Sequence, residues 1–373
     1  MRSPLFVLFC LISFSLSYES PKEYTIHLIE NFSTNSLPQN PTVNQIGFAV
    51  LHTAAALAIE LINNKTCSAL PTLENTKLAL EVRSTYNLDP YVIQEMMDLH
   101  EKNISLAIGF SSDNIAITGA ILGSVYNMAQ LSSFAPSTKL SNYPFFSRHV
   151  VENSDLAKTF HDFLIYQSNG ELGWTDVAVV AEVADYYLDF ARAFIELAPE
   201  EFQILAYRTF LFEETNYDLD LHAIKDSGAR VIMAAVSNNF PAFFARADEL
   251  GLVGDSYVWL IPSVTSSISF YTPIPRAVGV LSAIGIFPEV PAKKCLTEAW
   301  VNADRVKYPF TGIIPLPPPI TASLPFDSIA ITSMAIKELD KKELLDGRRI
   351  SAELWTSTIR NQTFDGLSGF ISF

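Results

Sequence analysis

"AQLSSFAPSTKLSNYPFFSRHV", residues 129–150, begins as a buried strand and then abandons that pattern. Residues 130–134 read as extended, and 135–138 turn around Pro136. After Ser141 and Asn142 come Tyr143, Pro144, Phe145, Phe146, Ser147 and Arg148, a proline–aromatic–aromatic run closed by a cation. Proline disfavours helix at the residue before it, so 142–150 is expected to be an extended connector.

The segments on either side give that connector its meaning. Before it, strands are predicted over 23–32, 78–84, 104–110 and 130–134, alternating with helices over 49–62, 91–102 and 114–126. After it, helices over 156–167, 185–197, 220–226 and 241–250 alternate with strands over 176–181, 203–210, 230–236 and 257–261. Such alternation implies right-handed crossovers and a parallel sheet. Two series imply two α/β lobes with a cleft near the carboxyl ends of their strands, where open α/β sheets bind ligands. The chain then changes character. A strand over 278–287, a proline-rich loop over 313–319 and an amphipathic helix over 327–339 precede a turn at 366–369 that enters one more strand. No internal repeat or low-complexity segment stands out.

The chain has 373 residues, enough for two ordinary domains, and 49% apolar against 17% charged residues marks it as globular. A formal net charge of −15 opposes nucleic acid and anionic membranes as main partners. Arg2, the apolar run over 5–12 and Ser15-Leu16-Ser17 describe a secretory leader over 1–17. That run is too short to span a bilayer well, and no later stretch is long and apolar enough. N-x-S/T sequons at Asn31, Asn64, Asn103 and Asn361 fit a secretory route. With Cys10 removed in the leader, Cys67 and Cys295 remain, open to one disulfide, to two buried thiols or to a bridge with another chain.

Motifs for catalysis are missing. There is no phosphate-binding loop, dinucleotide fingerprint or nucleophile elbow, and the serine of "GLSG" at 366–369 has the wrong spacing. Six histidines are scattered without metal-ligand spacing. The acids of "FEETNYDLDLH" at 212–222 lack the glycine and terminal glutamate of a calcium loop and read as a solvated acidic loop. No cofactor and no enzyme activity are expected. Binding chemistry has more support. Phe110-Ser111-Ser112-Asp113-Asn114 leads from a strand into a helix whose free N–H groups attract an anion. The hydroxyl-rich turn at 132–138 follows the next strand and is expected beside the first turn; ordinary capping and turn formation reads either turn alone equally well, and their matching positions after consecutive strands favour a site.

In order and spacing, "GFSSDNIAI", "QLSSFAPSTKLSNYPFFSRHV", "GWTDVAVVAE", "DSGARVIMAAV", "YVWLIPS", "FDSIAITSMAIKEL" and "FDGLSGFISF" resemble the ligand-binding region of receptor ectodomains. This is the type I periplasmic-binding-protein or "Venus flytrap" fold, and the chain is most similar to class C G-protein-coupled receptors of the GABA type B kind. The resemblance implies two Rossmann-like lobes with parallel sheets joined by a multi-crossing hinge. Lobe 1 would cover 18–147, lobe 2 148–282, a return to lobe 1 283–364, and a final crossing begin at 365–373. "YPFFSR" would be the first hinge crossing. A small ligand would be held between the lobes, with closure as the signal.

By position, Ser112 and Asp113 resemble the polar pair that family members aim at an amino-acid carboxylate. Ser111, Ser112, Asp113, Ser137 and Tyr186 are the expected ligand contacts, Tyr186 being equally readable as packing on its own lobe. Asp113 stands where the family has a hydroxyl, Pro136 where amino-acid receptors often have threonine, and Val264 where many have an ammonium-binding aspartate. A carboxylate at a helix N-terminus repels an anionic ligand, so a neutral or cationic ligand, or none, is expected. The resemblance also implies a homo- or heterodimer through lobe 1 and a membrane link only through a region beyond this chain. A secreted or extracellular location follows, and a ligand-free partner subunit or a secreted binding protein is the alternative reading. The family's ectodomain continues past "GLSGFISF", whereas this sequence stops at Phe373, which leaves a fragment, a truncated gene model or a secreted form open.

Overall fold

The structure is a computed structural model describing residues 23–30, 43–168, 174–211, 214–236, 240–262, 280–282, 288–312, 318, 320–345 and 348–373. The leader, Asn31, Phe212, Val264 and most of the stretches 278–287 and 313–319 lie outside them.

Parallel pairing organises both halves. One sheet contains β1 (Glu23–Glu30), β2 (Lys77–Ser84), β3 (Leu106–Gly109), β4 (Ala129–Ser132) and β5 (Phe146–Arg148), in the order β2-β1-β3-β4-β5. The other contains β6 (Asp176–Glu182), β7 (Gln203–Phe210), β8 (Val231–Ala235), β9 (Val258–Ile261) and β10 (Val280–Ser282), in the order β10-β9-β8-β6-β7. Every neighbouring pair in either sheet is parallel. Read from the β2 and β7 edges, the two sheets share one topology although their sequences show no repeat. The chain is thus an α/β protein of two lobes.

Parallel strands need helical crossovers, and these cover both faces of each sheet. In lobe 1, α1 (Val43–Asn64), α8 (Pro291–Val301), α9 (Ser323–Lys341) and α10 (Ala352–Arg360) bury Leu57, Trp300, Phe326 and Trp355 on one face. On the other, α2 (Asp89–Glu101) and α3 (Asp113–Tyr126) bury Val92, Met96 and Ile115. In lobe 2, α4 (Asn153–Ser168) and α5 (Asp185–Glu196) bury Phe160, Phe190 and Phe194. Opposite them, α6 (Asp218–Ser227) and α7 (Phe240–Glu249) bury Leu221, Phe243 and Phe244. The period of two is visible in β6, where Val177, Val179 and Ala181 enter one core and Ala178 and Val180 the other. Each fully buried side chain of this size stabilises the fold by about 1.5–3 kcal/mol.

Several elements differ from the sequence reading for local reasons. Strand β4 stops at Ser132 because the Ser132 hydroxyl accepts the N–H groups of Phe134 (3.2 Å) and Ala135 (3.1 Å), so the turn begins two residues early. The expected connector also supplies the edge strand β5, held from outside by Arg360, which donates to the Phe146 carbonyl at 2.6 Å and the Ser147 hydroxyl at 3.1 Å. Helices α8 and α10 were not expected at all. Of the acidic stretch, residues 214–217 form a loop with Thr215 and Asn216 exposed, and 218–222 are helical. Asp218 and Asp220 open α6 and pair with Arg246 and Arg208, at 2.6 Å and 2.9 Å.

The last segment is a hairpin of β11 (Thr363–Gly366) and β12 (Gly369–Ser372) lying on α9. Buried Asp327 of α9 accepts the backbone N–H of Leu367 (2.9 Å) and of Ser368 (2.7 Å) and the Ser368 hydroxyl (2.7 Å). A Cβ at Gly366 would lie 2.6 Å from the Asp327 carboxylate, so only glycine allows this approach.

Cys67 and Cys295 form a disulfide, with Cα atoms 5.7 Å apart, that ties the loop after α1 to α8. It closes a loop of 228 residues in sequence separation. Replacing both cysteines by serine is expected to cost about 2–5 kcal/mol and to lower Tm, read by thermal denaturation. A reductant should do the same to the wild type and nothing further to the double variant.

Candidate functional site

The strand-to-helix connection after β3 is unusual in its backbone. Gly109 has φ +108° and Phe110, fully buried, has φ +55°; a non-glycine residue held there costs about 1–3 kcal/mol. A Cβ at Gly109 would lie 2.4 Å from the Ile29 carbonyl oxygen. After this double bend Asp113 reaches the end of the neighbouring strand, β4, whose exit holds Ser133 to Ser137. The Ser112 hydroxyl lies 2.6 Å from both Asn87 Oδ1 and Asn114 Oδ1; with one proton, it donates to only one of them. Its side chain does not cap α3.

Asp113 joins the two turns. It is 4% exposed, and its Oδ1 accepts the Ser137 backbone N–H at 3.0 Å. The turn at 136–138 is gripped from three more directions. Arg148 of β5 donates to the Ser137 carbonyl at 2.6 Å and also binds Ser141 and Glu152. From lobe 2, Asp189 of α5 accepts the Thr138 N–H at 3.0 Å and its hydroxyl at 2.9 Å. Asn153, the first residue of α4, donates its N–H to the Pro136 carbonyl at 3.0 Å and its side-chain amide to Asp189 at 2.8 Å. The turn is therefore a joint between the lobes.

Three buried polar atoms at this joint lack a hydrogen-bond partner among the described residues: Ser111 Oγ, Asp113 Oδ2 and Asn153 Oδ1. Burial pushes the Asp113 carboxyl up to about 7. The Ser137 N–H works against that shift, Asp189 and Asp185 add to it, and Arg148 pulls back. Tyr186 stands half-buried in the first turn of α5, which contacts α3, with its ring edge-on to Tyr187 at 5.0 Å. The structure thus joins Asp113 to Ser137, leaves Ser111 two residues before Asp113 without a partner among the described residues, turns the Ser112 hydroxyl to Asn87 and Asn114, and sets Tyr186 on α5.

Thr138, Arg148, Asn153 and Asp189 were missed by sequence reasoning. Asp189 alone left a trace: it occupies the buried side of α5, next to Phe190, where an apolar residue is the norm. A second chain of bonds lies behind the turn. His149 Nε2 and Ser328 Oγ are 2.8 Å apart, as are Ser328 Oγ and Ser133 Oγ, and burial lowers the His149 pKa to about 4, so the ring is neutral. With Asp327 on the hairpin, the start of α9 fastens both the first crossing and the last segment. A separate groove of about 450 Å³, lined by Leu70, Met334, Lys341 and Phe364, lies toward the far end of α9 and is not part of this joint. No group of three metal-ligating side chains occurs among the described residues.

The Asp113 shift has a thermodynamic consequence. A carboxyl with a higher pKa in the folded state holds its proton more tightly there. Its stabilisation is complete below about pH 4 and lost as pH rises through about 7. Asp113→Asn, which cannot ionise, is expected to change stability little at pH 4 and to raise it by roughly 2–4 kcal/mol at pH 8, read by urea denaturation.

Known proteins place this geometry in context. Residues 50–373 match the receptor family ligand binding region. No curated protein matches the chain. Among solved structures, it is similar to an ABC transporter substrate-binding protein from Desulfitobacterium hafniense in complex with Leu. The two are 16% identical, with 94% of this chain and 92% of that one covered and a TM-score of 0.68. A second ABC transporter substrate-binding protein from that organism gives 18% identity, 94% and 93% coverage and a TM-score of 0.69. A branched-chain amino acid transporter substrate-binding protein from Streptococcus pneumoniae in complex with isoleucine gives 15%, 94%, 92% and 0.68. At such identities the likeness establishes a common fold. The family match spans most of the sequence, and the chain belongs to the receptor family ligand-binding region.

Proposed function

We propose that the chain is the extracellular ligand-binding module of a receptor of the class C, GABA type B kind, closing around a small molecule held between its lobes. The observation that carries this reading is the turn at 136–138, bonded by Asp113 and Arg148 from lobe 1 and by Asn153 and Asp189 from lobe 2. A ligand that meets Ser111, Asp113 and Ser137 on one side and the start of α5 on the other favours the closed form by its differential affinity. The bacterial neighbours, crystallised with leucine and isoleucine, support a small-molecule ligand. Exposed sequon positions at Asn64, Asn103 and Asn361 support an extracellular setting. Ligand contact by Ser111, Ser112, Asp113, Ser137 and Tyr186 belongs to this proposal.

A second role, as a dimer partner, has its own support. The α2–α3 side of lobe 1 exposes Leu88 (52%), Met97 (42%), Ile121 (48%) and Val125 (70%), an apolar set that pairing through lobe 1 would cover.

Thermal-shift screening of the purified chain with amines, amino acids and small metabolites tests the first role. A closing ligand at a hundred times its Kd stabilises by about 2.7 kcal/mol, and its hits should lower the radius of gyration in small-angle scattering. Silence across the panel with a concentration-dependent dimer retained would leave the partner role standing instead.

A further inference from the structure

We propose that the cleft ligand is a small amine, an organic cation without a carboxylate, whose ammonium group binds the free oxygen of Asp113. The inference rests on the ligand-binding reading of the lobe junction and adds the chemical class.

Three observations carry it. Two donors near Asp113 that could receive a ligand carboxylate are already engaged. The Ser137 N–H is bound by Asp113 itself, and the guanidinium of Arg148 by the Ser137 carbonyl, Ser141 and Glu152. Asp113 also sits in the first turn of α3, where its own negative charge adds to the N-terminal field that would otherwise favour an anion. Next, among the described residues Asp113 Oδ2 is an acceptor with no partner on a side chain 4% exposed, and Ser111 Oγ, two residues before it, is likewise unbonded. A buried carboxylate oxygen left so costs free energy that a donor cation recovers. Finally, the field at Asp113 is negative: Asp185 and Asp189 of α5 act on it, opposed by Arg148 of β5. A carboxylate ligand adds a further negative charge to this group, whereas an ammonium lowers the repulsion between α3 and α5 and so favours closure.

Pairs of probes that differ only by a carboxylate test this: 3-methylbutylamine against leucine, and tyramine against tyrosine, titrated into the full chain at pH 8 by calorimetry and thermal shift. Each amine is expected to bind at least about tenfold more tightly than its amino acid, because a charge-assisted bond replaces a like-charge contact. Asp113→Asn, which keeps an oxygen to accept the Ser137 N–H, should abolish that preference. In the wild type, amine affinity should fall about tenfold per pH unit below about pH 6, as Asp113 takes up its proton while the amine stays charged. This arm needs no variant.

Amino acids that bind as well as their amines, or amine binding indifferent to Asp113→Asn and to pH, overturn the assignment and leave the ligand-binding reading intact. Silence from all four probes while another small molecule stabilises the chain has the same meaning. Silence from the probes and from every other small molecule overturns both.

Discussion

Parallel strand pairing is the constraint from which the rest of this molecule follows. A parallel strand cannot be reached by a tight turn, so every strand of a sheet points the same way and all its exits gather at one edge. In lobe 1 those exits are Gly109 and Ser132, one strand apart, which brings Asp113 within a hydrogen bond of Ser137 although 24 residues separate them. In lobe 2 the exit of β6 opens into α5, whose Asp189 bonds Thr138 in the same place. The helices that parallel pairing demands also bury both faces of each sheet. What stability they provide is available to hold an unfavourable group at the joint.

Asp113 is that group. A carboxylate removed from water, with one oxygen unbonded among the described residues and two further acids nearby, does not stabilise a fold. Its setting has the marks of a functional site: a backbone bend at Gly109 and Phe110, unsatisfied buried polar atoms, and a titration moved into the physiological range. Each of these costs free energy in the isolated chain, and a bound partner can return part of it.

The fold was largely legible because strands buried on both faces read as unbroken apolar runs. "DVAVVA" is such a run, and β6 follows it to within one residue. Caps helped less evenly. Ser351 accepts the Leu354 N–H and marks the start of α10, a signal present in the sequence and overlooked. Strand β5 was not readable, since Phe146-Ser147-Arg148 is too short for a period and owes its pairing to β4 and to Arg360 from 213 residues away. The disulfide needed three dimensions, as two cysteines 228 residues apart carry no pairing information. At the site, hydroxyl-rich turns after consecutive strands pointed to Ser111, Ser112, Asp113 and Ser137. Their lobe 2 counterparts Asn153 and Asp189 were invisible, because a polar residue on a helix shows its partner only when the other lobe is in place.

The Asp113 carboxyl lies buried where the two lobes meet. Carboxyl carbon NMR of aspartate-labelled protein, with the Asp113 signal identified by its loss in Asp113→Asn, reads that burial directly through its titration. Burial at the joint places the midpoint at about 7 in the unliganded chain. A midpoint near about 4, where a solvated aspartate titrates, would mean that water reaches this carboxylate and would contradict it.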